Sequence, residues 1–394
     1  MPGPLDGIRI VDVSAVVSGP LATMMLANQG ADVIKIEPAE GDVTRLPANI
    51  RAGMPAFYAN CNRGKRSISL DLKHDAGRAI VLDLVKEADV FVQNWRPGAA
   101  EELGLGEKDL HALNPDLIYT SISGYGESGP LRHQRVYDPI IQALTGYISA
   151  QKDPRAPAPD LVRNIEVDKA TSLMAAQAIT AALYARKCGA GGQSIHVPML
   201  DVGLWFLFPD CGAKHTFIGE GMEVPISTTD AYRLWETSDG YIVFFTASVA
   251  QGNALAEALG HPEWMEEVRF QLPEVLKAEN RLALNELIEV AIKQFSTAEV
   301  IDRMQSAEVS AAPVLAFDEV LEHEQIKHNG IIIEQEHPVF GRYRAVRPAA
   351  KFSATPQTLG SEPAFLGEHS DDVLAEMGYD EAKIAQLREQ GIVH

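Results

Sequence analysis

The 394-residue chain is 46% hydrophobic and 22% charged, the balance of an ordinary globular protein with length for about two or three domains. Its 54 acidic residues against 34 basic ones leave a net charge of −20, which argues against a nucleic-acid backbone or an anionic membrane as its main partner. Three cysteines, Cys61, Cys188 and Cys211, stand alone without a C-x-x-C pair. Neither a disulfide framework nor a thiolate zinc site is therefore expected, and a cytoplasmic location is.

The first third alternates strand and helix signals. Residues 8–13 form a short β-branched run. Gly19-Pro20 then opens a helical stretch that Gly30 stops, and residues 31–36 read as the next strand. The order recurs as strand 67–70, helix 75–88, strand 90–93, helix 99–105 and strand 117–122. Strands alternating with helices imply crossovers, and hence a mostly parallel sheet covered on both faces. An alanine-rich helix follows over 168–186, ended by Lys187-Cys-Gly-Ala-Gly-Gly192; its small side chains suggest close packing on nearly every face. Its most apolar part, 173–185, is too short to span a bilayer, and the N-terminus does not read as a signal peptide. From about residue 225 the character changes: strand 241–246, helices between 249 and 306, strands 330–334 and 343–346, then a charged helical segment over 371–390. The expected organisation is a large α/β domain over 1–200, a linker over 201–225, a smaller α+β domain inserted over 226–325, and a return segment over 326–394.

Several templates for chemistry fail. Gly124-Tyr-Gly-Glu-Ser-Gly129 matches G-x-G-x-x-G, but the polar stretch Pro130–Arg135 follows where a dinucleotide fingerprint needs a long helix. The chain has no P-loop, no G-x-S-x-G and no H-E-x-x-H; His323 and His328 read as surface residues, and no metal site is expected. Two basic islands stand out in so acidic a chain: Arg63, Lys65 and Arg66 with Lys73, and Arg132, His133 and Arg135. Each suits a phosphate or carboxylate, or is ordinary surface charge. Asp168 opens the alanine-rich helix, where the helix dipole favours an ionised carboxylate. Such a group caps a helix or attacks an activated acyl carbon; local sequence favours the cap.

An ordered series of motifs along the whole chain stands beside this local reading. It runs Pro4-Leu-Asp-Gly-Ile-Arg-Ile-Val-Asp12, Gly19-Pro20, Gly30-Ala-Asp-Val-Ile-Lys-Ile-Glu37, Gly41-Asp42 and Asn62-Arg-Gly-Lys-Arg-Ser-Ile-Ser-Leu-Asp-Leu-Lys73. It continues through Asn94-Trp-Arg-Pro-Gly98, Leu113-Asn-Pro115, the 124–130 loop, Tyr137-Asp138, Gln142-Ala143 with Gly146, Asp168 and the tail Leu366–Val373. In that order and spacing the chain resembles, nearly end to end, the class III coenzyme A transferases, with α-methylacyl-CoA racemase as a relative.

The resemblance implies a Rossmann-like large domain with a small inserted domain, and an interlocked homodimer of ring-shaped chains. It implies acyl-CoA and a small carboxylic acid as substrates, with no tightly bound cofactor. Asp168 matches the catalytic aspartate, which carries the acyl group and then CoA. Val17, Ser18, Leu70, Lys73, Asn94, Trp95, Arg96, Arg135 and Tyr137 match CoA-binding positions. Asn94 also follows a predicted strand at its carboxyl end, where ligands collect in open α/β sheets. Formyl-CoA transferase has a glutamine at Val17 and arginines at Pro38 and Glu102, so a formyl- or oxalyl-specific pocket is not expected. Its flexible glycine-rich loop also lacks a counterpart between 225 and 234. In the racemases a histidine stands at Tyr137 as a base for the α-proton; a tyrosine, with its ordinary pKa of about 10, is a poor substitute. Transferase is therefore favoured over a racemase, and over a non-catalytic acyl-CoA-binding protein. Arg135, Arg163 and the island at 63–66 are candidates for holding a dicarboxylate.

Overall fold

The computed structural model describes residues 2–46, 48–152, 156–221 and 232–394. Its contacts divide the chain into two units, Met1–Leu207 with Asn329–His394, and Phe208–His328.

In the first unit six strands form one parallel sheet: β1 Arg9–Asp12, β2 Asp32–Glu37, β3 Lys65–Ser69, β4 Val90–Gln93, β5 Ile118–Ser123 and β6 Gln193–Pro198. Their order is β3-β2-β1-β4-β5-β6. The chain thus winds outward from β1 in one direction, then returns to start β4 on the other side. A parallel sheet that reverses this way opens a crevice at the carboxyl ends of β1 and β4.

Side chains alternate along each strand, so both faces must be covered. Ile10 enters one core and its neighbour Val11 the other, both fully buried. The first core is closed by helices α1 Ser18–Ala27 and α4 Glu166–Ala185. The second is closed by α2 Asp75–Lys86 and by two helices near the C-terminus, Ser370–Glu376 and Glu381–Glu389. The strands and helices expected in the first third lie within a few residues of these bounds.

Several features differ from the expectation. β6 was not anticipated because only Ile195 and Val197 interrupt a polar run, the pattern of an edge strand with one half-exposed face. Helix α3, Asp138–Thr145, and helix α5, Met199–Cys211, were also missed. Finally, α4 is not packed on nearly every face. Ala175, Ile179 and Ala182 are buried, while Leu173 and Tyr184 are more than half exposed. One apolar stripe satisfies a helix that leans on a single core.

The second unit carries a three-stranded antiparallel sheet, with β8 Tyr241–Phe245 between β7 Trp235–Glu236 and β9 Ser310–Pro313. The alternation is strict. Ile242 and Phe244 face a core shared with helices α6 Val249–Ala258, α7 Ala278–Ile292 and α8 Thr297–Ser306, and Tyr241, Val243 and Phe245 face away. The expected absence of a glycine-rich loop falls largely on 225–231, outside the described residues. Among the described residues no helix is long and apolar enough to cross a membrane.

Candidate active site

The crevice predicted by the strand order is present as a cleft of about 250 Å³ within the first unit. Its walls come from the segment after β1 (Ala15, Val16, Ser18), the segment after β4 (Asn94 to Pro97), the end of β5 with Gly124, the 132–137 segment, and Asp168. Of the residues singled out in the sequence, Ser18, Asn94, Trp95, Arg96, Arg135, Tyr137 and Asp168 meet there. Val17 does not line it, being 2% exposed. Leu70 is fully buried in the second core and Lys73 is an exposed residue beyond β3, so neither lines the cleft.

Asn94 joins the two loops at the switch point. Its Oδ1 accepts the Ala15 N–H at 2.8 Å and its Nδ2 donates to the Ala15 carbonyl at 2.7 Å, as a neighbouring strand would. The same Nδ2 lies 3.5 Å from Ser18 Oγ, and the Ser18 hydroxyl donates to the Asp168 carboxylate. Gly124 lets the far wall close: a Cβ there would lie 2.1 Å from Val136 Cγ1. Turns, not a helix, follow Gly129 until α3 begins at Asp138, so the G-x-G-x-x-G match does not continue as a dinucleotide fingerprint.

Asp168 is the third residue of α4 and only 8% exposed. It does not cap its helix. Instead the carboxylate of Asp138, a residue not counted as part of the site from sequence, accepts the Asp168 N–H at 2.9 Å. The expectation that the helix dipole keeps Asp168 ionised is also corrected. Burial first, and the Asp138 charge second, push its pKa up from 3.8 to about 7, against the Ser18 hydrogen bond. The magnitudes decide this: a helix N-terminus contributes about 0.3–1 kcal/mol, whereas a rise of roughly three units corresponds to about 4 kcal/mol. At neutral pH the group is therefore shared between acid and carboxylate, a perturbed titration of the kind that clusters at functional sites.

The two basic islands separate. Arg96, Arg132 and Arg135 line the cleft, and their side chains form no ion pair or hydrogen bond with a described residue. The island at 63–66 is consumed by the fold. Lys65, 1% exposed, donates to Asp12 at 2.9 Å, to the Pro20 carbonyl and to Asn62. Arg63 bonds the carbonyls of Leu359 and Val346, and Arg66 pairs with Asp32 and Glu376. Arg163 pairs with Asp160 and does not line the cleft. Guanidinium groups without a charged partner among the described residues, in a chain of net charge −20, suit an anionic ligand. Among the described residues no group of His, Cys, Asp or Glu side chains could hold a metal ion.

A profile of the family described as CoA-transferase family III matches residues 5–370. The chain belongs to this family. Succinyl-CoA:glutarate CoA-transferase of Mus musculus is 31% identical, covering 99% of this chain and 90% of its own. Formyl-CoA:oxalate CoA-transferase of a Bradyrhizobium species is 30% identical, covering 98% and 96%. The crystal structure of a CaiB/BaiF family protein from Brucella suis superposes with a TM-score of 0.82 at 31% identity, over 96% of this chain and 100% of that one. A class III CoA-transferase works on CoA thioesters, and the arginine-lined cleft beside a buried carboxylate suits such a substrate.

Proposed function

We propose that this CoA-transferase moves CoA from a donor acyl-CoA to an acceptor carboxylic acid through covalent intermediates on Asp168. The observation that carries the reading is Asp168 itself: a buried carboxylate, hydrogen-bonded by Ser18, facing a cleft that also carries Arg96, Arg132 and Arg135, whose side chains have no ion pair among the described residues. One Asp168 oxygen attacks the thioester carbon; the C–S bond breaks and CoA leaves as thiolate, giving a mixed anhydride. The thiolate attacks the Asp168 carbonyl, releasing the donor acid and leaving an aspartyl-CoA thioester. The acceptor carboxylate attacks that thioester, and the expelled thiolate then attacks the acceptor acyl carbon. Acceptor acyl-CoA departs and the Asp168 carboxylate is restored. No proton or electron is consumed in the exchange. One difficult step becomes several acyl transfers of similar energy.

Arg96, Arg132 and Arg135 take the CoA phosphates, and Trp95 and Tyr137 supply aromatic surface for the adenine or the pantetheine arm. Incubation with succinyl-CoA alone is expected to leave a mass adduct on the peptide carrying Asp168, removed when an acceptor acid such as glutarate is added. An unmodified peptide during turnover would sink this reading.

The active form is a homodimer. Leu173, Tyr184, Leu204, Trp205 and Phe206 are each at least half exposed on the single chain, and apolar side chains left open on helices α4 and α5 suit a partner copy. Light scattering in solution should return twice the 42.8 kDa chain mass; a monomeric, fully active enzyme would refute this.

A further inference from the structure

Val16 stands on the cleft wall with φ at 69°, in the left-handed region. A β-branched residue there is a strained outlier, and it persists only where its surroundings over-determine it. The surroundings do so through buried charge. Both oxygens of the Asp42 carboxylate accept the Val16 N–H at 3.2 Å. Asp42 is itself held by Lys35, whose Nζ lies 3.1 Å away, with both side chains at most 1% exposed. Lys35 also donates to the Ser14 carbonyl at 2.8 Å. Asp42 further accepts from the Thr44 N–H and hydroxyl, and its own N–H donates to Glu37. With Asn94 on Ala15, three side chains, Lys35 in β2, Asp42 just after it and Asn94 just after β4, grip the backbone of 14–16, immediately before Ser18.

We propose that the Lys35–Asp42 pair is a positioning device for the acyl-transfer site: it holds Val16 in the left-handed turn that delivers the Ser18 hydroxyl to Asp168. The neighbouring buried pair, Asp12 with Lys65, makes no bond to residues 15–18, so the role belongs to Lys35 and Asp42. The inference rests on Asp168 being the nucleophile. Neither residue touches the cleft, which is why their effect must pass through the turn. A misplacement of about 1 Å near reacting groups is enough to cost on the order of a hundredfold in rate.

The test is the Asp42→Asn enzyme, assayed with succinyl-CoA and whichever small acid the native enzyme uses fastest. It should fold with a lowered melting temperature, lose roughly ten- to a hundredfold in kcat, and keep its KM for succinyl-CoA. Adding Val16→Gly, which accepts a left-handed φ without cost, should restore most of kcat while leaving the melting temperature low. That separation is what a merely structural role would not produce. Native kcat in Asp42→Asn, or a lost kcat that Val16→Gly does not recover, overturns the proposal. Should Asp42→Asn fail to fold, Val16→Pro breaks the same turn and leaves the ion pair intact; native turnover there overturns it equally. Adducts on the Asp168 peptide are measured in parallel. If the native enzyme forms none while the loss and recovery of kcat hold, the device stands and the nucleophile assignment falls.

Discussion

Asp168→Asn is expected to lose at least about 10⁴-fold in kcat, since the amide keeps the shape of the carboxylate but has no oxyanion to form the anhydride. The same variant is expected to be more stable than the native enzyme above pH 7. Burial and Asp138 raise the Asp168 pKa from 3.8 to about 7 in the folded chain. The native state therefore binds its proton more tightly than the unfolded state does. Stability falls as pH rises from 3.8 to 7, and the full penalty is present above 7. Removing the charge should return about 2–4 kcal/mol at pH 8 and nothing below pH 4. Urea melts of both enzymes at pH 8 and pH 4 measure this. Equal stability at pH 8 would mean that the carboxylate is not desolvated. The acid limb of the native kcat profile should fall near the same pKa, and Asp138→Asn should move it to lower pH by removing the neighbouring negative charge.

The sequence carried the fold well because the signals were local. Ile10 and Val11 alternate, Gly30 stops a helix, and Pro20 starts one, each readable within a few residues. Asn94 was legible twice, as the residue past a strand end and as a family position. Asp168 was legible only through the order of motifs along the whole chain. What escaped the sequence is what depends on distant pairs. Asp138 is 30 residues from Asp168 and the two meet only because α3 starts beside the first turn of α4. Val16 is an unremarkable residue until its φ is known. Nothing near Lys65 in sequence tells that its ammonium turns inward to an aspartate 53 residues earlier. Charge type is visible in a sequence, but the side of the sheet it serves is not.

That difference between the two basic islands yields the second large effect. Lys65→Ala is expected to cost about 3–5 kcal/mol, because it strands a buried carboxylate instead of removing a surface charge. Asp12 is fully buried, and burial alone would push its carboxyl up; Lys65, then Lys35 and the hydroxyls of Ser14 and Thr23, bring it down to about 2 instead. Its folded pKa thus lies below the unfolded value of 3.8, so ionised Asp12 contributes fully above 3.8 and loses that contribution as pH falls toward 2, while burial pulls Lys65 itself down to about 8. The stability gap between native and Lys65→Ala chains should accordingly be widest near neutral pH and narrow across that acidic window. Arg135→Ala is the opposite case. Its guanidinium is exposed on the cleft with no ion-pair or hydrogen-bond partner among the described residues, so stability should stay within about 0.5 kcal/mol. Its KM for acyl-CoA should rise roughly ten- to a hundredfold, as expected for one lost charge-assisted contact. Raising the salt concentration should shrink that difference. Denaturant melts and steady-state kinetics on the two variants settle it together. If Lys65→Ala melts like the native chain while its KM rises, or Arg135→Ala unfolds without a change in KM, the division of the islands into one that builds the fold and one that binds substrate is wrong.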